Sequence, residues 1–218
     1  MPITIATATG TYISYLFNSS APFIPTELAV VSTMSTLNIA SYILLSVIIG
    51  CVAVLFIHSV YWAEDFFDRI PRSYYVRHDL GMFFVGLSIY IMMRLFGHNY
   101  IEGVGYATVS DVLTSTVSHP GFLLLLAFLK VIDTSITLGS GGIFSPSLFI
   151  GATLGAGIAV LCNYILASDV AMSLQLGALA GMAGMIGATY HSSYYGSRND
   201  QYNAHKLTIV WYKDPSIL

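Results

Sequence analysis

The residues best suited to chemistry lie in one tract, LGSGGIFSPSLFIGATLGAG, residues 138–157. A Gly/Ser turn leads through Gly142, Ile143, Phe144 and Ser145 into Pro146, and an apolar segment follows. Proline is favoured in the first turn of a helix, where the N–H it lacks would have no partner anyway. A helix is therefore expected to start near Phe144, inside an apolar tract. A helix that begins within a bilayer presents unpaired N–H groups and the positive end of its dipole where water cannot satisfy them. Such an end is tolerated when it lines a cavity, and its natural ligand is an anion. The competing reading is an ordinary Gly/Pro helix start packed against protein.

Other chemistry finds little support. The six histidines, at 58, 78, 98, 119, 191 and 205, stand singly with no two at helical spacing, so no metal site is expected. Cys51 and Cys162 sit in separate apolar stretches, which gives neither a disulfide framework nor metal-ligand spacing. No nucleophile–base pair, carboxylate dyad or metal cluster supports an enzyme, and a membrane enzyme is kept only as a rival. No organic cofactor is called for. Lys130 and Asp133, three apart within an apolar span, are functional candidates by default. The preferred reading is that they pair with each other or lie near an interface.

The elements that must position the tract are apolar helices. Of the residues, 56% are hydrophobic and 9% charged, against roughly a quarter charged in a soluble domain, so the chain cannot clothe itself in polar surface. The net charge of -3, with no basic run, excludes a nucleic-acid binder. A span needs roughly 20 apolar residues, and candidates run over 38–62, 80–97, 121–138, 143–166 and 172–190. Residues 3–17 and 104–117 are apolar but short, as in broken or re-entrant helices. The linker 64–79 carries Arg69, Arg72 and Arg77, whereas 18–37 and 98–119 carry no Lys or Arg. The linker should face the cytoplasm and 18–37 the other side, unless it is a solvated loop without topological meaning. Small residues crowd the last two spans, among them Gly151, Gly155, Gly177 and Gly181, and tight helix packing accounts for most of them.

The segment GIFSP at 142–146 with SLFIGATLGAG after it resembles the Gly-x-Phe-x-Pro anion-site motif of CLC chloride channels and transporters. GVGYATVSDVL at 103–113 is similar to the family's Gly-x-Gly-Tyr segment. YILLSVIIGCVAVLF with EDFFDRIP resembles the helix and loop before it, and GALAGMAGMIGAT at 177–189 the helix after. The likeness covers roughly residues 3–191. It implies that the N–H groups of Ile143 and Phe144 hold chloride, with Gly142 allowing close approach and Pro146 fixing the helix start. It also implies a multi-pass protein of the cell membrane, a homodimer of separately pored subunits, and chloride and the lipid bilayer as partners.

Two departures qualify the resemblance. Family members carry a longer glycine-rich stretch before the motif, so about three residues are missing here. The family's Gly-Ser-Gly-Ile-Pro and Gly-Arg/Lys-Glu-Gly-Pro segments and its late Tyr-bearing helix have no counterpart. The chain thus reads as the second inverted half of a CLC subunit, and the isolated chain is expected to conduct no chloride selectively. Residues 1–191 form the CLC-type region and 192–218 an atypical tail. A shifted frame over Ser192 to Asp200 can encode Leu-Ile-Thr-Ala-Val-Val-Met-Ile, similar to the family's next helix, so a frameshifted or decayed gene is preferred over a genuine exposed tail. The expectation is an all-α polytopic transmembrane helix bundle with broken helices. Its function is chloride transport, as channel or proton-coupled antiporter, inactive as this truncated chain. The alternative is a non-functional fragment or half of a split subunit needing an N-terminal partner.

Overall fold

The computed structural model describes residues 36–69, 74–137, 142–166 and 172–191, with 9, 10, 12, 13 and 16 near the N-terminus. The 18–37 loop, apart from the start of the first helix, and the 192–218 tail lie outside the described residues, as does most of 3–17. Every regular element described is helical. In chain order these are α1 (Thr36–Asp68), α2 (Tyr74–Phe96), α3 (Tyr106–Leu113), α4 (Pro120–Ile136), α5 (Phe144–Leu166) and α6 over residues 174–191.

Three stretches are long and apolar enough to cross a membrane by length and composition: Asn38–Phe67, His78–Phe96 and Phe144–Ile165. The fourth expected span, α4, is a 17-residue helix, ~25 Å at 1.5 Å per residue, short of a bilayer's ~30 Å of hydrocarbon. The broken-helix expectation over 104–117 is met by α3, eight residues long.

The first linker departs from expectation. Helix α1 does not stop at residue 62 but runs through Glu64 and Asp65 to Asp68, 33 residues in all, or ~50 Å. Its extension is packed on one side, since Ala63 and Phe67 are buried. Trp62 and Phe66, one turn apart, stack with ring centroids 5.7 Å apart. The helix ends three residues before Pro71, which disfavours the helical conformation in the residue before it. Because α2 starts at Tyr74, the connection spans only 69–73.

Helix α5 is the axis of the bundle. Every residue from Phe149 to Ala159 is buried, as expected of a helix apolar on all sides. One face, Ile150, Leu154 and Ile158, joins Leu45, Ile49 and Phe56 of α1 in a first core. The other, Phe149, Ala152 and Ala156, joins Val109 and Val112 of α3 and Leu123 and Leu126 of α4 in a second.

Helix α6 crosses α5 at backbone contact. A Cβ at Gly151 would run into the Gly181 carbonyl, and one at Gly155 into the Gly177 carbonyl. The two glycine pairs, four apart on each helix, form the small-xxx-small seam that lets membrane helices approach closely. Asn163 closes the hairpin: its Nδ2 donates to the Met172 carbonyl at 2.7 Å, and its Oδ1 accepts from the Met172 N–H at 2.9 Å.

By contrast α2 touches the bundle along one stripe, Gly81, Val85, Ser88 and Met92. Gly81 lies against the Ile136 carbonyl and Met92 is buried. Phe83, Tyr90 and Leu95 on its other faces are exposed.

Candidate anion site

From Gly142 onward the tract singled out in the sequence forms the start of α5, while its first residues, 138–141, lie outside the described residues. The first helical residue is Phe144, and the Ser147 N–H donates to the Ile143 carbonyl at 3.1 Å, closing the first turn. Pro146 is therefore the third helical residue rather than the first. It still falls within the turn whose N–H groups have no intrahelical acceptor, so its missing N–H costs nothing. Among the described residues, the N–H groups of Ile143, Phe144 and Ser145 find no acceptor.

Gly142 precedes them with φ +68, the left-handed region that an L side chain enters at about 1–2 kcal/mol. Among the described residues, a Cβ there would meet no atom within 4 Å. Backbone conformation, not crowding, thus calls for glycine, and the turn borders open space.

Two cavities meet at this turn. One, of about 300 Å³, is lined by Gly142, Ile143, Ser145 and Pro146 together with Lys130 and Asp133. The other, of about 450 Å³, is lined by Gly142, Ile143, Phe144 and Ser147 together with Ile186, Thr189 and Tyr190 of α6. The GxFxP segment is the shared wall.

Around the first cavity a polar clasp holds the 101–105 loop. The Lys130 Nζ donates to the carbonyls of Ile101 at 2.8 Å and Gly103 at 2.7 Å, and it lies 5.2 Å from the centroid of the Phe149 ring. From the other side, Ser145 Oγ donates to the Val104 carbonyl at 3.2 Å. Gly105, with φ +76, admits the Phe149 ring where a Cβ would collide with it. The GVGY segment is thereby locked onto the first turns of α5.

Of the two alternatives expected for Lys130 and Asp133, pairing with each other or a place near an interface, the direct pairing is not what forms. Asp133 accepts instead from Ser88 Oγ of α2 at 3.2 Å, and among the described residues no ion pair joins it to Lys130. The reason is local: backbone carbonyls of the irregular 101–105 loop lie within reach of the ammonium and accept its hydrogen bonds. Sequence reasoning flagged both residues by their depth in an apolar span. It missed Thr189, which the second cavity brings together with Gly142, Ile143 and Phe144 from a distant part of the chain, so that no spacing signal marks it.

Comparison with known proteins agrees with the family resemblance. The family described as voltage gated chloride channel matches residues 1–194. The chain is 26% identical over 195 residues to the H(+)/Cl(-) exchange transporter ClcA of Yersinia pestis bv. Antiqua (strain Angola), covering 88% of this chain and 40% of that protein. It is 32% identical over 165 residues to chloride channel protein CLC-f of Arabidopsis thaliana, covering 68% of this chain and 20% of that one. A third relative, the voltage-gated ClC-type chloride channel ClcB of Salmonella typhimurium, is 30% identical over 115 residues. The chain thus spans less than half the length of these relatives.

Proposed function

Because the chain belongs to the voltage-gated chloride channel family, we propose that it serves in moving chloride across a membrane, with the start of α5 as its anion site. The observation that carries this reading is the set of N–H groups at Ile143 and Phe144, unpaired among the described residues, at the head of a 23-residue helix beside open space. A helix of this length places roughly half a positive charge at its N-terminus. Hydrogen bonds from N–H groups to an anion are about twice as strong as neutral ones. Gly142 and Pro146 shape the turn so that both N–H groups stay available, and Ser145 ties it to the 101–105 loop.

The relatives named above include an exchanger and channels. Chloride transport is the function they share, and it is the function proposed for this chain. The proposal further places the protein in the cell membrane, as one half of an inverted-repeat pore in a homodimeric assembly.

Chloride efflux from loaded liposomes tests the reading, with the chain reconstituted beside a partner segment carrying GSGIP- and GREGP-like motifs. Saturable efflux that favours chloride over gluconate, and that Gly142→Ala lowers, is expected. Efflux indifferent to the anion, or untouched by Gly142→Ala, contradicts it.

A further inference from the structure

One wall of the larger cavity includes Thr189, whose hydroxyl has no hydrogen-bond partner among the described residues. Thr189, near the end of α6, is 5% exposed, and its Oγ1 is buried without a hydrogen-bond partner. Hydroxyls on these helices return a bond to the carbonyl one turn back: Ser46 to Tyr42, Ser135 to Val131, Ser147 to Ile143 and Thr153 to Phe149. Thr189 does not. A buried hydroxyl without a partner is unfavourable, which points to an acceptor that arrives from outside the protein.

We propose that Thr189 is an anion-binding residue, its hydroxyl donating to a halide held at the head of α5 opposite the N–H groups of Ile143 and Phe144. The cavity of about 450 Å³ brings Thr189 together with Gly142, Ile143 and Phe144. Among the described residues no charged side chain lines it, and the Ser147 hydroxyl is engaged with Ile143. Neutral donors alone suit a monovalent, weakly hydrated anion such as chloride. A phosphate or carboxylate would call for the arginine or lysine that is absent from this lining. The proposal rests on the anion site above and adds a donor contributed by α6.

The test is thermal unfolding of the detergent-solubilised chain, with sodium chloride titrated against sodium gluconate at constant ionic strength. The wild type should gain stability with chloride. Thr189→Val and Thr189→Ala should weaken apparent chloride affinity roughly tenfold, the order expected for one lost hydrogen bond to an anion, whereas Thr189→Ser should stay within about twofold. In gluconate alone both hydroxyl-free variants should be at least as stable as the wild type, since the lost group has no partner in the protein. Wild-type chloride affinity in both hydroxyl-free variants overturns the role of Thr189 and leaves the helix-head site standing. Unfolding of both in gluconate also overturns it, because the hydroxyl would then have a structural role. Absence of any chloride response in the wild type removes the helix-head site and this proposal together.

Discussion

At Lys130 a charge that a bilayer would reject is absorbed by backbone oxygen. An ammonium in a low-dielectric interior needs donors matched to acceptors, and two carbonyls at 2.7 and 2.8 Å with an aromatic face beside them supply that match. The arrangement works in both directions, because the Ile101 and Gly103 carbonyls sit in a loop with no helix to satisfy them. Replacing Lys130 by Met keeps much of the stem but leaves both carbonyls without the donor. A buried unsatisfied group costs about 1–3 kcal/mol, so Lys130→Met should lower the midpoint of SDS-induced unfolding by an amount equivalent to roughly 3 kcal/mol and expose the 101–105 loop to protease. A variant as stable and as protease-resistant as the wild type would show that the clasp contributes nothing.

Among the elements, the α5–α6 hairpin is held by what its side chains lack. With lipid as apolar as leucine, helices associate through close packing rather than through hydrophobic burial. The Gly151/Gly181 and Gly155/Gly177 contacts bring the two backbones together. That approach sets where Thr189 and Ile186 stand relative to the head of α5. Gly155→Leu should therefore cost about 3 kcal/mol, the upper end of overpacking penalties, measurable as a shifted unfolding midpoint. Gly86→Leu, on α2 where a Cβ meets nothing within 4 Å, should leave the midpoint within the scatter of replicate measurements. Equal effects of the two would deny the seam its role.

The hairpin and the helix start were legible in the sequence, because small residues four apart and a proline after a glycine turn are local signals. The fate of the charged segment at 64–68 was not. Its acidic residues read as loop, but Ala63 and Phe67 on the same stretch are buried, and burial of one face overrode composition. The Lys130 contacts were equally illegible, since they join residues 27 and 29 apart through a loop whose shape no periodicity encodes. Thr189 was passed over for the same reason: a lone threonine after a glycine-rich stretch looks like packing until the cavity beside it is seen.

For the whole molecule, the arginines near the first connection predict which way the bundle faces. Arg69 follows directly on α1 and is exposed, and the excess of Lys and Arg near span ends marks the cytoplasmic side. A cysteine placed at Ser73 should resist a membrane-impermeant maleimide applied to intact cells and react after permeabilisation. Ready labelling of intact cells would invert the topology. In either orientation the bundle presents α5 with the N–H groups at its head unpaired among the described residues and its flanks packed, the geometry on which the proposed anion site depends.

The most direct measurement of that site is anomalous diffraction from the protein crystallised in bromide, a halide that scatters strongly and follows chloride chemistry. The account predicts an anomalous peak within hydrogen-bonding reach of the N atoms of Ile143 and Phe144, at the head of α5. Bromide bound only at the molecular surface, with the helix head occupied by ordered water alone, would contradict it.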